Sequence, residues 1–454
     1  MIDKYYNGVI EQVVSGIGNV EHNSILVRYS NDFSIWDLES VNHYKDQSDI
    51  FFTCHEFSYN KIAEAYEPYL GLIRQMFHRY CSGTLEEFME ECDVYKLQRP
   101  VFESYFENGF CERTEQILID EVEYEQERMR NSIVTMLQKL SEIRPVVIVL
   151  NRFQLASKST MQLTNRLLQT KNKNIGIVLG VNDVQSIPEF AHEEWDAICE
   201  SMDDRNMVYH IGNAGRNMEP DVMDYYSDYE SDDGYRKLNN LVYFLDFDQA
   251  DHHLSKIERR IKFDNFTISE KKHYQLLLLQ IMVSVLQRDI AKALESCEDL
   301  EKLQDQEKEG AFYYNFWMAT SYMYLGKLEE AMIYVQKAKE CGEALGDDFL
   351  VFRAELLKAQ NQMSGWCNIF FCAQDIEISD KLIEKLNAYH YKNHLAHIYI
   401  YAYDNKPEIV AKAYRSEAFL IYFSKGVALA KEIGNEQLIS IAYRKNIMIA
   451  STNG

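Results

Sequence analysis

Short continuous apolar runs punctuate the first half of the chain. Ile25–Val27, Ile50–Cys54, Val146–Leu150, Ile175–Leu179 and Met207–Ile211 each read as a strand, because unbroken apolar runs of this length suit strands buried on both faces. Amphipathic stretches over 59–80, 115–140 and 160–168 lie between them. Strands alternating with helices predict a parallel sheet covered on both sides, with 146–150 as a central strand. Residues 219–234, EPDVMDYYSDYESDDG, hold no Lys or Arg and many acids. Such a segment has too little apolar surface to order itself and reads as an acidic linker or insertion. From about Tyr235 to the end the periodicity is helical, interrupted only by Pro407.

Within the helical half, FWMATSYMYLGKLEEAMIYVQKAKE places small residues at Ala319, Gly326, Ala331 and Ala338, with Tyr322 between the first two. This resembles a tetratricopeptide repeat: small residues let two helices approach, and Gly326 takes the turn. An earlier, weaker copy carries Ala293, Cys297 and Leu300, with Arg288-Asp289 in place of the glycine. A later fragment has Ala428, Ala430, a Gly434-Asn435 turn and Ala442. A generic helical bundle is the competing reading. The first helix of the best copy holds Phe312, Tyr313, Tyr314, Phe316 and Trp317. So many aromatics on one helix are expected to leave some facing a concave groove, so Phe312, Tyr313, Phe316 and Trp317 are the candidate protein-binding residues.

Charge narrows the partners. The chain carries 71 acidic and 47 basic side chains, a formal charge of −24, which repels phosphate backbones and anionic lipid. A protein or peptide is the expected partner, from another chain or from a domain of the same protein, rather than nucleic acid or a membrane. No run of about 18 apolar residues spans a bilayer, and the N-terminus lacks the apolar core of a signal peptide. The nine cysteines are scattered and read as reduced thiols of a cytoplasmic protein. The 31 Tyr and 23 Phe are read first as filling for helix–helix contacts.

The first half resembles the nucleotide-binding module of STAND-type signalling ATPases, of the AAA-like P-loop class. The resemblance rests on FFTCHEFSYNKIAEAYEPYLGLIRQM as second strand and helix, RPVVIVLNRFQLASKSTMQLTNRLLQ as Walker B strand and helix, and NIGIVLGVND as sensor strand. It implies an α/β N-terminal domain over 1–215, the acidic linker over 216–235, and an all-α tetratricopeptide-like C-terminal domain over 236–454. The catalytic positions depart from that family. A phosphate loop needs Gly and Lys after the first strand, so that backbone N–H groups and a cation meet the phosphates. The chain has Tyr29, Ser30, Asn31, Asp32, Phe33, Ser34, Ile35 and Trp36 there. The Walker B strand ends in Asn151-Arg152 rather than in acids; a neutral amide is no base, and Arg152 repels a metal ion. A pseudo-ATPase that needs no cofactor is the expectation.

Other chemistry is weaker. Cys54 and His55 are strand neighbours and point to opposite faces. His252-His253 beside Asp251 cannot share a metal on a helix. His390, His394 and His397 have ligand-like helical spacing, but no acid stands among them. Cys367 and Cys372 lack a second cysteine pair. Gly16-Ile17-Gly18 precedes the first strand, the wrong side for a dinucleotide, and Glu193-Glu194 and Asp203-Asp204 read as solvated faces. Three functions follow: a non-catalytic regulatory scaffold that senses or relays by protein binding; the sensory part of a larger bacterial signalling enzyme, with a diguanylate cyclase (GGDEF) domain expected beyond Gly454 because the array has no polar cap; and an NTPase with an unusual site.

Overall fold

A computed structural model describes residues 2–19, 23–29, 35–45, 49–58, 61–111, 117–119, 121–170, 172–182, 187–203, 207–211, 231–263, 266–364, 380–401 and 417–452. The chain divides into two compact units. The first comprises Met1–Val94, Arg99–Glu112 and Glu125–Ile257; the second comprises Tyr95–Gln98, Arg113–Tyr124 and Glu258–Gly454.

In the first unit, β1 (Ser24–Tyr29), β2 (Phe51–Glu56), β3 (Val146–Asn151), β4 (Ile175–Asn182) and β5 (Val208–Ile211) form one sheet. The order is β2-β3-β4-β1-β5 and every pairing is parallel. Strands β3 and β4 are buried from end to end, which is why neither shows polar alternation. Helices α1 (Ile2–Gly16), α2 (Glu39–Tyr44), α3 (Tyr69–Tyr80), α4 (Leu85–Glu91), α5 (Arg99–Asn108), α6 (Val122–Ile143), α7 (Lys158–Gln169), α8 (His192–Asp203), α9 (Asp232–Tyr243) and α10 (Phe247–Phe263) connect and follow the strands.

Helix α1 buries Tyr6, Val9, Ile10 and Val13, one helical stripe. It rests on β4 at two glycines. A Cβ on Gly176 would meet Val13 Cγ1 at 2.7 Å, and one on Gly180 would meet the Tyr6 hydroxyl at 2.2 Å.

The start of α7 pins the segment after β2. Ser157 caps the helix by accepting from the Thr160 amide, and its hydroxyl donates to the Glu64 carbonyl at 2.9 Å. Ser159 Oγ accepts from the Tyr66 amide at 3.2 Å, and the Thr160 hydroxyl donates to the Glu67 carbonyl at 3.0 Å.

The expected domain boundary at 216–235 is corrected. Residues 212–230 lie outside the described residues, and Ser231 caps α9 by accepting from the Gly234 amide, so the last residues of the acidic stretch begin a helix. Leu238, Leu241 and Val242 of that helix are buried, and the first unit runs on to Ile257. Apolar burial on α9 outweighs the composition of the stretch before it.

In the second unit every described element is helical: the end of α10, then α11 (Glu270–Leu286), α12 (Ile290–Glu301), α13 (Gly310–Tyr324), α14 (Leu328–Leu345), α15 (Asp348–Ser364), α16 (Asp380–Ala388), α17 (Lys392–Tyr401), α18 (Glu417–Ile433) and α19 (Glu436–Thr452), with short 3₁₀ turns. One turn geometry recurs. Arg288, Gly326, Gly346, His390 and Gly434 all have positive φ, between 62° and 76°. The next amide then bonds back to the carbonyl of Ser284, Tyr322, Gly342, Leu386 or Ala430, at 2.8–3.1 Å. This closes the end of the preceding helix and aims the next one back along it. Ala293, Ala319, Ala331, Ala338 and Val335 lie together in one core with Phe312 and Trp317.

Candidate functional site

In an open parallel sheet the crevice for a ligand lies at the carboxyl ends of the strands, where the strand order reverses. Here β1 leads to β2 on the far edge while its neighbour β4 leads to β5 on the other side, so the reversal falls between β1 and β4. Tyr29 ends β1, Asn182 ends β4 and Asn151 ends β3, and all three are buried.

These ends are tied together by neutral groups. The Tyr29 hydroxyl donates to Asn151 Oδ1 at 2.8 Å, and the Asn182 amide donates to Gln154 Oε1 at 3.3 Å. The bond from Tyr29 to Asn151 crosses β4 above Gly180, whose missing side chain leaves the room: a Cβ there would stand 2.5 Å from Asn151 Oδ1 and 2.2 Å from the Tyr6 hydroxyl. Tyr6 is fully buried. Burial first, then the nearby Tyr29, Cys54 and Glu56, raises its phenol well above the ordinary tyrosine range, so it stays protonated.

Of the phosphate-loop positions, Ser30, Asn31, Asp32, Phe33 and Ser34 lie outside the described residues. Ile35 and Trp36 form a single 3₁₀ turn with Asp37. Ile35 is buried, Trp36 is half exposed, and the Ile35 amide donates to Glu56 Oε2 at 3.2 Å. The other oxygen of Glu56 lies 3.5 Å from Arg152 Nη2. The cation that follows β3 is therefore matched by a carboxylate. Asn151 directs its oxygen to Tyr29 and has no charge with which to hold a metal ion or orient water.

Cys54 and His55 form no reactive pair. Burial pushes the thiol up to about 12. Burial, aided by Lys61, pulls the imidazole down to about 4. Both groups are neutral near pH 7, and a thiolate nucleophile needs the opposite shifts.

A carboxyl with a displaced titration lies beyond β2. Burial, then the adjacent Glu67, pushes Glu64 up to about 7. Its Oε2 accepts from Asn240 Nδ2 at 3.0 Å, and Asn240 Oδ1 accepts from the Cys111 amide at 3.1 Å.

In the helical unit the aromatic candidates are corrected. Phe312, Phe316 and Trp317 are at most 4 % exposed and belong to the central core. Tyr313 is half-buried beneath Arg353, whose guanidinium carbon is 5.7 Å from its ring and 4.3 Å from that of Phe316. Helix α13 meets α11, α12, α14 and α15, and a helix that is apolar all round is buried all round. The large apolar side chains that are exposed nearby are Tyr324, Leu325 and Ile333.

The three spaced histidines also take separate roles. His390 occupies an interhelical turn, and the buried His394 packs on Tyr391 with ring centroids 5.2 Å apart. His397 Nε2 lies 2.7 Å from Glu121 Oε1. Glu121 is buried, and it also accepts from Asn393 Nδ2 and, at 2.8 Å, from Asn435 Nδ2. Burial alone would raise its carboxyl; the bond and charge of His397, with the two amides, outweigh this and hold it at about 2. The sequence conceals this cluster because the acid stands 276 positions from its histidine. Among the described residues no group of three or more His, Cys, Asp or Glu has metal-binding geometry. Cys367 and Cys372 lie outside the described residues.

No family model, curated protein or solved structure matches this chain. Among the described residues no helix is long and apolar enough to cross a membrane.

Proposed function

We propose that this chain is a non-catalytic regulatory scaffold: a pseudo-ATPase fold, related to the STAND and AAA-like P-loop class, joined to a tetratricopeptide-like array that binds other polypeptides in the cytoplasm. The observation that carries the reading is the Tyr29–Asn151 hydrogen bond above Gly180. It places neutral groups at the reversal point of the sheet, where phosphate and Mg²⁺ chemistry needs a cation and an acid. The recurring turn after Arg288, Gly326, Gly346, His390 and Gly434 supports the repeat reading, since stacked helix pairs create an extended binding surface. The charge of −24 favours a neutral or basic polypeptide as the array's partner.

With Phe312, Phe316 and Trp317 in the core, the array's contacts fall to its exposed apolar side chains, Tyr324, Leu325 and Ile333. The test is co-purification of the full chain from its native lysate, with the bound proteins identified by mass spectrometry. Leu325→Asp and Ile333→Asp are expected to release a specific partner without lowering the unfolding temperature. Retention of every partner by both variants contradicts this placement.

A further inference from the structure

Among the described residues, strand β2 forms one edge of the sheet and pairs with β3 alone. The Phe51 amide donates to the Pro145 carbonyl at 2.7 Å and the Phe57 amide to the Asn151 carbonyl at 3.1 Å. Backbone groups alternate in direction along a strand, so Phe52 and Cys54 present their N–H and C=O groups to the open side. No described group bonds to either amide or either carbonyl. Natural sheets usually blunt or cover such an edge.

This edge lies in a hollow. A cavity of about 370 Å³ follows residues 50–54 and is flanked by Trp36, Lys45, Gln75, Arg79 and Tyr80. A second, of about 560 Å³, shares Phe51, Gln75 and Arg79 with it and adds Arg74 and His78. Among the described residues no Asp or Glu lines either cavity, on a chain with 71 of them. Lys45 and Arg79 are exposed and form no ion pair among the described residues.

We propose that the open edge of β2 is a second protein-docking site, which takes an extended acidic peptide as an added strand. The unpaired groups of Phe52 and Cys54 supply main-chain hydrogen bonds. Lys45 follows Tyr44, which packs on Phe52, and Arg79 precedes Tyr80, which packs on Phe51; the two cations thus flank opposite faces of the edge and select carboxylate side chains on both faces of the added strand, at neighbouring positions of the peptide. A nucleic acid offers charge but no alternating N–H and C=O groups to pair with the edge.

The test uses the full chain and an array of peptides about eight residues long, within the usual strand length, with pairs of adjacent Asp or Glu set among Val and Thr so that carboxylates reach both faces. At least one is expected to bind with a Kd below about 100 µM. N-methylation of its alternate amides should abolish binding in one register and spare it in the other, because only one set of N–H groups faces β2. At saturation, amide exchange at Phe52 and Cys54 should slow at least about tenfold, while Thr53 and His55, already facing β3, change little. Lys45→Glu with Arg79→Glu should weaken binding at least about tenfold through charge reversal at exposed positions. Absence of binding across the array, indifference to N-methylation in both registers, or equal competition by single-stranded DNA overturns the proposal.

Discussion

The hydroxyl of Tyr29 donates to the side-chain oxygen of Asn151 at 2.8 Å, joining two strands that are not neighbours. The strand between them, β4, permits this only because residue 180 is glycine. Gly180→Ala is therefore expected to destabilise the first unit by about 1–3 kcal/mol, the usual range for overpacking. Tyr6→Phe removes the hydroxyl that the new methyl would meet at 2.2 Å. The two substitutions should combine with less than the sum of their separate costs. Urea unfolding of both single variants and the double variant checks it; strict additivity contradicts the geometry.

Glu64 makes stability pH-dependent. Its folded value of about 7 lies above the ordinary carboxyl value of about 4.3. The folded state therefore holds the proton more tightly, and stability falls as pH rises from about 4.3 to 7. Glu64→Gln keeps an oxygen to accept from Asn240 and removes the charge. It should leave stability nearly unchanged at pH 4 and raise it by about 1–3 kcal/mol at pH 8, by linkage. Denaturant midpoints at the two pH values measure this.

Glu121 has the opposite sign. Held at about 2, it contributes stability above the ordinary carboxyl value that is lost as pH falls from about 4.3 towards 2. Glu121→Ala strands two buried amide donors and an imidazole, and should cost the second unit about 3–5 kcal/mol near pH 7. The deficit should shrink at pH 3, which thermal unfolding followed by circular dichroism resolves.

Arg288 does at its turn what Gly326 does at the next, with φ of 65° against 72°. A left-handed residue with a side chain costs about 1–2 kcal/mol that glycine avoids. Arg288→Gly should accordingly raise stability, by about 1 kcal/mol once the added freedom of the unfolded chain is subtracted. A lowered midpoint contradicts the repeated-turn account.

Much of this fold was legible in the chain. The five apolar runs became the five strands, and in β3 and β4 burial on both faces leaves no alternation to misread. Gly326 and Gly434 marked their turns directly, and Arg288 was placed at its turn by alignment with that glycine; His390 adopts the same conformation with no compositional sign of it. The Tyr6-Val9-Ile10-Val13 stripe was present but lay among charged residues, and its partner glycines on β4 are 176 and 180, far along the chain. The aromatics of α13 misled because periodicity cannot tell a binding face from a core when every face is apolar. In the candidate site, Asn151 was found at a strand end, but its bond to Tyr29 and the role of Tyr6 depend on tertiary contacts that no local pattern encodes.

The central claim is that the carboxyl end of the sheet no longer works on nucleotide. Isothermal calorimetry of the full chain with Mg-ATP and Mg-GTP, paired with a phosphate-release assay, tests it most directly. The account predicts no binding tighter than about 1 mM and no phosphate release above the protein-free rate. Micromolar binding or measurable turnover, lost on substitution of Asn151, contradicts it.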